Sequence, residues 1–233
     1  CLKTVFDTSS KRTRGADYNR YGYVPNDISA TLENVFADHC ISLLAGELGD
    51  SENQQLFAER AQNYRNIFSC EVGWMRRKDE VGKWAEWRGI YDCDGCVESN
   101  IFQQSWFVPY DVFGLSKLFG EERTIELLEE FFSRADFGAL WNDDYNHSNE
   151  PCHNITHYFN ILGLYHRTQY WTRKVQKEAY RTGAPPHQVS SFQTWPEVSL
   201  RMLTKPRSIA PTTPFPQGII TKESRPVKVT AGI

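Results

Sequence analysis

The stretch "TLENVFADHCISLLAGEL", residues 31–48, decides the fold class. Apolar side chains recur in it every three or four residues, the period that places them on one face of an α-helix. We therefore predict an amphipathic helix that starts at Thr31 and ends before Gly49, because these residue types cap helix termini. The face predicted to be buried consists of Leu32, Val35, Phe36, His39, Leu43, Leu44 and Leu48.

The same period returns along the chain. It predicts further helices over 52–68, 106–120 after Pro109, 121–133, 151–165 and 168–181. Only a short loop around Gly163 separates the last two, so they should pack as a helical hairpin. No segment alternates strongly enough to predict a sheet. The fold class is therefore all-α, made of helical hairpins with aromatic and polar loops, closer to a helical toroid than to a four-helix bundle.

The sequence changes character after Gly183. Residues 184–233 hold eight of the eleven prolines, and no helical period continues there. Such a composition cannot easily bury a core, which predicts a disordered or aberrant Pro-rich tail after one domain over 1–183. Because the change is abrupt, we hypothesise a shifted reading frame, a retained intron or an altered splice at this point, which the coding DNA would reveal.

Bulk properties exclude some partners. The formal net charge of −3 comes without a basic stripe, which argues against nucleic acid. No apolar run approaches the roughly 18 residues that cross a bilayer, so no membrane partner is expected. The chain begins at Cys1 without an apolar signal segment, and we interpret it as a fragment or a processed piece.

The run "CDGC" at 93–96 is a single C-x-x-C pair. A zinc ribbon requires a second such pair, and the chain has none. A local disulfide or two free thiols therefore fits Cys93 and Cys96 better than a structural zinc.

The run "HSNEPCHNITHYFN", residues 147–160, allows several interpretations. The first is a helix start, with Asn149 as the cap and Pro151 in the first turn, where no backbone donor is needed. The second is a metal site. Glu150, His153 and His157 would share one helical face, and a carboxylate with two imidazoles suits zinc or another transition metal. A carboxylate with an asparagine amide oxygen suits calcium instead.

Two sequons overlap the same run, at Asn146 and Asn154. Asn154 would lie inside a helix beside aromatic residues, a poor position for a glycan. We expect both sequons to be unused.

The segment "VESNIFQQSWFVPYD", residues 97–111, places Glu98 before Phe102, Trp106 and Phe107. Aromatic walls raise the pKa of a carboxyl group, as a general acid requires, and also stack on the apolar faces of sugars. The alternative is an exposed glutamate on a loop beside an aromatic cluster that fills the core.

Taken together, four stretches resemble glycoside hydrolase family 92, the calcium-dependent exo-acting α-mannosidases. They are "DYNRYGYVPND" with "SATLENVFADHCIS" (17–42), "RAQNYRNIF" with "GWMRRKDEVGKW" (60–84), "ESNIFQQSWFVPYD" (98–111) and "SNEPCHNITHYFNILGLYHRTQYWTRKV" (148–175). The resemblance spans about residues 12–183 in the order and spacing of the family.

The resemblance implies part of an (α/α)6 toroid, an N-terminal β-sandwich domain of the same enzyme as partner, and mannose-containing glycans as substrates. It implies inverting hydrolysis of terminal α-linked mannose, with α-1,2 as the expected linkage, and Ca²⁺ as cofactor. By resemblance Glu98 is the general acid, and Asn149 and Glu150 hold the metal. Asn100, Trp106 and His153 are expected to contact the substrate. A secreted or secretory-pathway location is also expected.

The sequence also departs from the family. Ser99, Phe102, Tyr110 and Cys152 replace the Gly, Trp, His and Ser of the motifs. The catalytic base, which the family places downstream of this hairpin, has no counterpart, and "NDD" at 142–144 precedes the metal motif. We therefore expect the chain by itself to be inactive. The alternatives are a non-catalytic carbohydrate-binding remnant and a metal-binding helical protein.

Overall fold

The computed structural model describes residues 12, 14–139 and 141–180. All of them fall in the first of two units into which the chain divides, Cys1–Phe192. The Pro-rich region predicted over 184–233 lies outside the described residues, so its character and its boundary stay predictions.

Eight α-helices carry the described chain, with two 3-10 segments and one pair of strands. The α-helices are α1 Gly15–Tyr21, α2 Ile28–Glu47, α3 Ser51–Arg60, α4 Ile101–Gln104, α5 Val112–Phe119, α6 Glu121–Ser133, α7 Tyr158–Ile161 and α8 Tyr165–Glu178. The 3-10 segments are Ala61–Ile67 and Glu150–His157, and the strands are β1 Phe68–Ser69 and β2 Trp74–Met75. No helix in these ranges is long and apolar enough to cross a membrane.

Helix α2 begins three residues before the predicted start, because Asp27 rather than Thr31 caps it. The Asp27 carboxylate accepts a hydrogen bond from the backbone N–H of Ala30 at 2.8 Å, which satisfies one of the free donors at the helix start. The Thr31 hydroxyl donates to the Asp27 carbonyl at 2.7 Å and accepts from the Val24 N–H at 2.8 Å. Thr31 therefore fastens the preceding loop to the first turn of α2.

The predicted buried face of α2 is wrong in its second half. Leu43, Leu44 and Leu48 are 47%, 42% and 55% exposed, whereas Leu32 and Val35 are fully buried. The inward line continues instead through Asp38, which is itself fully buried. Asp38 pairs with Arg12 at 2.6 Å and Arg60 at 2.9 Å and accepts from the Tyr18 hydroxyl at 2.8 Å. Because the Asp38 carboxylate has these three partners, it can be buried on the inner face of α2, where the pattern had predicted the leucines.

The prediction that the chain contains no sheet is also wrong in detail. Strands β1 and β2 pair antiparallel, with Phe68 opposite Met75 and Ser69 opposite Trp74. Each strand has only two residues, too few for an alternating pattern to appear in the sequence. The described fold is therefore mostly helical with one short hairpin.

The hairpin predicted around Gly163 is confirmed, with different helix types. The segment Glu150–His157 is a 3-10 helix that continues into α7, and α8 begins at Tyr165. Gly163 has a φ of 81°, a left-handed conformation that glycine adopts without steric cost. The chain can therefore turn back within three residues.

An aromatic core joins the middle of the chain to its C-terminal hairpin. Trp106 packs against Phe119, with ring centroids 5.1 Å apart, and Phe102 packs edge-on against Phe131 at 4.9 Å. Phe132 stacks on Trp171 of α8 at 5.3 Å. These contacts hold α4, α6 and α8 together, and the loops between them carry the polar residues of interest.

Helix α2 offers a test of which leucines stabilise the fold. We expect Leu32→Ala to lower the free energy of unfolding by about 2–5 kcal/mol, because it leaves a cavity in a closed site. Leu43→Ala should cost less than about 1 kcal/mol, since nearly half of that side chain already meets solvent. Urea unfolding monitored by circular dichroism measures both. Equal losses for the two variants would contradict the orientation of α2.

Candidate functional site

Glu98 lies at the surface on the loop that precedes α4. Its side chain is exposed, and its backbone φ is 50°, a left-handed conformation rarely adopted by residues other than glycine and asparagine. The next two residues, Ser99 and Asn100, are buried. The Asn100 side chain caps α4 by accepting from the N–H of Gln103 at 2.9 Å. The sharp turn at Glu98 thus sends the chain inward while its carboxylate stays in solvent.

The loop before Glu98 is fastened to the start of α2. The Gly95 carbonyl accepts from the N–H groups of Ile28 at 2.8 Å and Ser29 at 3.1 Å, two donors that a helix start leaves free. The N–H of Val97 donates to the Ser29 hydroxyl at 2.8 Å. Glu98 therefore stands between two anchored segments, α2 on one side and α4 on the other.

Asn149 brings the two predicted functional motifs together. It is 5% exposed and precedes the 3-10 segment Glu150–His157. Its side-chain N–H donates to the backbone carbonyl of Glu98 at 2.9 Å. Glu150, the next residue, is exposed. The residue predicted as the acid and the two predicted as metal ligands are thus neighbours in space, although 51 residues separate Glu98 from Asn149.

Two further buried amides join the same segments. The Asn100 side chain donates to the Asp143 carbonyl at 2.8 Å. The Gln103 side chain donates to the carbonyls of Asn142 at 2.7 Å and Asp144 at 2.6 Å. Gln103 was not predicted as a site residue. A polar residue on a helix packed among aromatic residues is the signal that could have indicated it.

The segment "NDD" at 142–144 precedes the metal motif in the sequence and was therefore not predicted to supply the catalytic base. Its backbone carbonyls accept the hydrogen bonds of Asn100 and Gln103. The Asp144 carboxylate accepts from the Tyr91 hydroxyl at 3.2 Å and lies 3.6 Å from the Arg134 guanidinium. Burial raises the pKa of Asp144, and the charge of Arg134 opposes that shift. Asp144 therefore links the loop before Glu98 to the end of α6.

The donor atoms at this place suit a hard cation. Asn149 uses its amide N–H on Glu98, which leaves its amide oxygen available, and Glu150 offers an exposed carboxylate. The buried oxygens Gln103 Oε1 and Asn142 Oδ1 have no hydrogen-bond partner among the described residues. Oxygen atoms of amides and carboxylates are the ligands that calcium prefers.

The residues do not suit zinc in the same way. The His153 ring is buried, and its Nε2 contacts the His147 carbonyl at 2.8 Å. Within the described part of the chain, no three His, Cys, Asp or Glu side chains are grouped so that they could hold a metal ion. A transition-metal site on Glu150, His153 and His157 therefore has no support in the geometry.

The residues predicted to contact substrate have different positions. Asn100 and His153 are buried, and their side chains contact the backbone carbonyls of Asp143 and His147, respectively. Trp106 is 0% exposed in the aromatic core, and its indole N–H has no hydrogen-bond partner among the described residues. In this structure Trp106 supports the site by packing. Its contact with a sugar stays a prediction.

The structure also describes the C-x-x-C pair and the acceptor asparagines of the two sequons. Cys93 and Cys96 are free thiols. Asn146, the acceptor of the first sequon, is 0% exposed, which leaves no room for a glycan in this conformation. Asn154 is half-buried within the 3-10 segment.

Comparison with known proteins identifies the class. The sequence model of the glycosyl hydrolase family 92 catalytic domain matches residues 2–186. The chain belongs to glycosyl hydrolase family 92, so the resemblance found in its motifs is confirmed. A search of curated proteins finds no match.

Solved structures of two Bacteroides thetaiotaomicron enzymes are similar to the chain. One is a family GH92 α-mannosidase, with 29% identity and a TM-score of 0.70 over 76% of this chain and 24% of that one. Its complex with mannoimidazole gives 27% identity and a TM-score of 0.67 over 77% and 27% of the two chains. The other is a family GH92 inverting mannosidase, with 28% identity and a TM-score of 0.65 over 72% and 26%. The chain spans about a quarter of the length of these structures.

The His147 ring, behind the site, makes stability depend on pH. It is hydrogen-bonded through Nδ1 to Tyr145 at 2.7 Å and through Nε2 to Tyr180. Burial lowers its pKa to about 3, and the neighbouring His153 adds to the shift. In the unfolded chain, His147 therefore binds a proton below about pH 6.5. In the folded chain, it binds that proton only below about pH 3.

We expect the free energy of unfolding to fall as the pH is lowered through that window. In His147→Gln the fall should be shallower by at most about 1.4 kcal/mol per pH unit, the value for one proton. Urea titrations at about pH 7.5 and about pH 5 measure the slope. The exposed His166 supplies the control, and a similar change of slope in His166→Gln would contradict the role of His147.

Proposed function

We propose that the chain supplies the general acid and the calcium-binding residues of an inverting exo-α-mannosidase that removes terminal α-linked mannose. The observation that carries the proposal is the hydrogen bond from the Asn149 side chain to the Glu98 carbonyl, which joins both motifs in one site. Family membership and the similarity to two mannosidases support the same reaction class.

Glu98 would deliver the proton to the leaving oxygen. Its carboxyl group is exposed and therefore within reach of a substrate, while the backbone on both sides is held by α2 and α4. A general acid must be held in a fixed position, because proton transfer requires hydrogen-bond distance to the leaving atom. Inverting hydrolysis also needs a base that activates water on the opposite face of the sugar. We assign no residue of this chain to that role.

Asn149 and Glu150 would hold the cation through the amide oxygen and the carboxylate. When bound, calcium supplies a positive charge that binds sugar hydroxyls and helps distort the terminal mannose. Asn149 would have two functions, since its N–H positions the Glu98 backbone while its oxygen faces the ion. His153 would contribute by fixing the start of the 3-10 segment, because its ring contacts the His147 carbonyl two residues before Asn149.

Family membership is the ground for four further proposals, which concern the linkage, the complete domain, its partner domain and the location. We propose α-1,2-linked mannosides as preferred substrates, an (α/α)6 toroid as the complete helical domain, and a β-sandwich domain of the same enzyme as its partner. A secretory-pathway location is proposed on the same ground. The hairpins formed by α2 with α3 and by α7 with α8 are compatible with such a toroid.

Replacement of the acid is the first test. We expect Glu98→Gln in the full gene product to lower the turnover of an α-mannoside by about 10²–10⁴-fold, the usual contribution of a general acid. Release of mannose from an α-1,2-linked disaccharide gives the rate. Glu80→Gln, at an exposed position of the preceding loop, is the matched control and should keep full activity. Undiminished activity of Glu98→Gln would refute the assignment.

Calcium binding is tested separately. We expect Glu150→Gln to weaken calcium binding by about tenfold or more, because one formal charge leaves the ligand set. Isothermal titration calorimetry of the chelator-treated protein measures the affinity. Glu122→Gln, an exposed glutamate of α6, should bind calcium like the unmodified protein. Equal affinities for all three proteins would place the ion elsewhere.

The carbohydrate-binding alternative has a distinct outcome. A remnant would bind an α-mannoside in calorimetry without releasing mannose, and Glu98→Gln would leave that affinity unchanged. The proposed hydrolase instead releases mannose and loses turnover in the same variant.

A further inference from the structure

Two thiols lie on the loop that leads to Glu98. Cys93 is exposed and Cys96 is half-buried, and the Cys96 N–H donates to the Cys93 carbonyl at 3.0 Å. This hydrogen bond closes a four-residue β-turn, in which the first and last Cα atoms are less than about 7 Å apart. Disulfides span Cα separations of about 4.4–6.8 Å. The turn therefore already holds the two cysteines near bridging distance.

The shape of the turn does not depend on a covalent bond. Gly95 has a φ of 77°, and a Cβ at this position would lie 2.8 Å from the Asn26 carbonyl oxygen. Asp94 is held by Arg88 and, at 3.1 Å, by Arg77. The reduced loop is thus fixed in a conformation that an added bridge would need to change only slightly.

We propose that Cys93 and Cys96 form a reversible disulfide by exchange with a low-molecular-weight disulfide such as glutathione disulfide. The Cys93 thiolate attacks one sulfur of the reagent and releases the first glutathione thiolate. The Cys96 thiolate then attacks the Cys93 sulfur and releases the second. Two protein thiols lose two electrons and two protons, and one glutathione disulfide becomes two glutathione thiols.

The environments of the two sulfurs set the order of the steps. Cys93 is open to a reagent, and its thiol makes only a weak hydrogen bond to the Tyr91 carbonyl at 3.6 Å. Burial raises the pKa of Cys96 well above that of a free thiol, and the nearby Cys93 and Asp92 add to the shift. The first attack therefore falls to Cys93, and closure by Cys96 should become faster as the pH rises.

The bridge would act on the site through the loop backbone. Gly95, inside the turn, accepts from the first two N–H groups of α2, and Val97 donates to Ser29 immediately before Glu98. Closing the turn removes conformations in which this loop separates from α2. The disulfide would therefore keep Glu98 in position, a consequence that rests on the proposed function, whereas formation of the disulfide does not.

Peptide mapping tests the disulfide directly. The 233-residue chain is equilibrated in glutathione buffers of graded ratio, free thiols are blocked with an alkylating reagent, and the peptides are identified by mass spectrometry. We expect the peptide with Cys93 and Cys96 to become unalkylated and lighter by two hydrogens, while each of the exposed thiols Cys40 and Cys70 is either alkylated or carries one glutathione. Two alkylated thiols at every ratio, or glutathione retained on Cys93, would overturn the proposal.

A second measurement covers the link to Glu98. In the full gene product, oxidation should raise both the melting temperature and the turnover of an α-mannoside. In Cys93→Ser, the oxidised and the reduced protein should have the same melting temperature and the same turnover. Cys70→Ser, which removes another exposed thiol, should respond like the unmodified protein. If the mapped disulfide forms but turnover is the same in both states, the positioning role is wrong. If the unmodified full gene product releases no mannose in either the oxidised or the reduced state, the result would instead count against the proposed function.

Discussion

Three buried amide side chains hold the candidate site together. Asn100, Gln103 and Asn149 are each at most 5% exposed, and each donates to a backbone carbonyl on the other side of one junction. A buried amide left without a partner costs about 1–3 kcal/mol, whereas a satisfied one contributes about 1 kcal/mol. The segments 98–103 and 142–149 therefore share more than the aromatic core, in which Phe102 and Tyr145 both pack on Phe131, because directional hydrogen bonds between them also set their relative position.

The aromatic core supplies the rigidity on which these hydrogen bonds depend. Phe102 and Trp106, which flank Gln103, are fully buried against α5 and α6, so α4 cannot rotate without opening the core. The His147 ring stiffens the other side, because it bridges two tyrosines and stays uncharged at neutral pH. Stability and site geometry thus rest on the same packed layer, and acid should weaken both.

The sequence predicts most of the helices, because the helical period of apolar residues is visible within each segment and does not depend on tertiary contacts. It fails on Leu43, Leu44 and Leu48, since the period cannot show that Arg12 and Arg60 would meet Asp38 and turn that side of α2 inward. It also misses β1 and β2, which are too short to show a pattern. The motifs indicated Glu98, Asn149 and Glu150. A polar residue among aromatic residues could have indicated Gln103, but its partner, the Asn142 carbonyl, is 39 positions away and has no counterpart in the local pattern.

Hydrogen exchange of the full gene product tests most directly whether the two motifs form one site. We predict that calcium with an α-mannoside slows exchange in 98–104 and 141–150 together, while exchange in α6, Glu121–Ser133, is unchanged. Protection of only one segment, or of neither while mannose is still released, would contradict a shared site at the junction of Glu98 and Asn149.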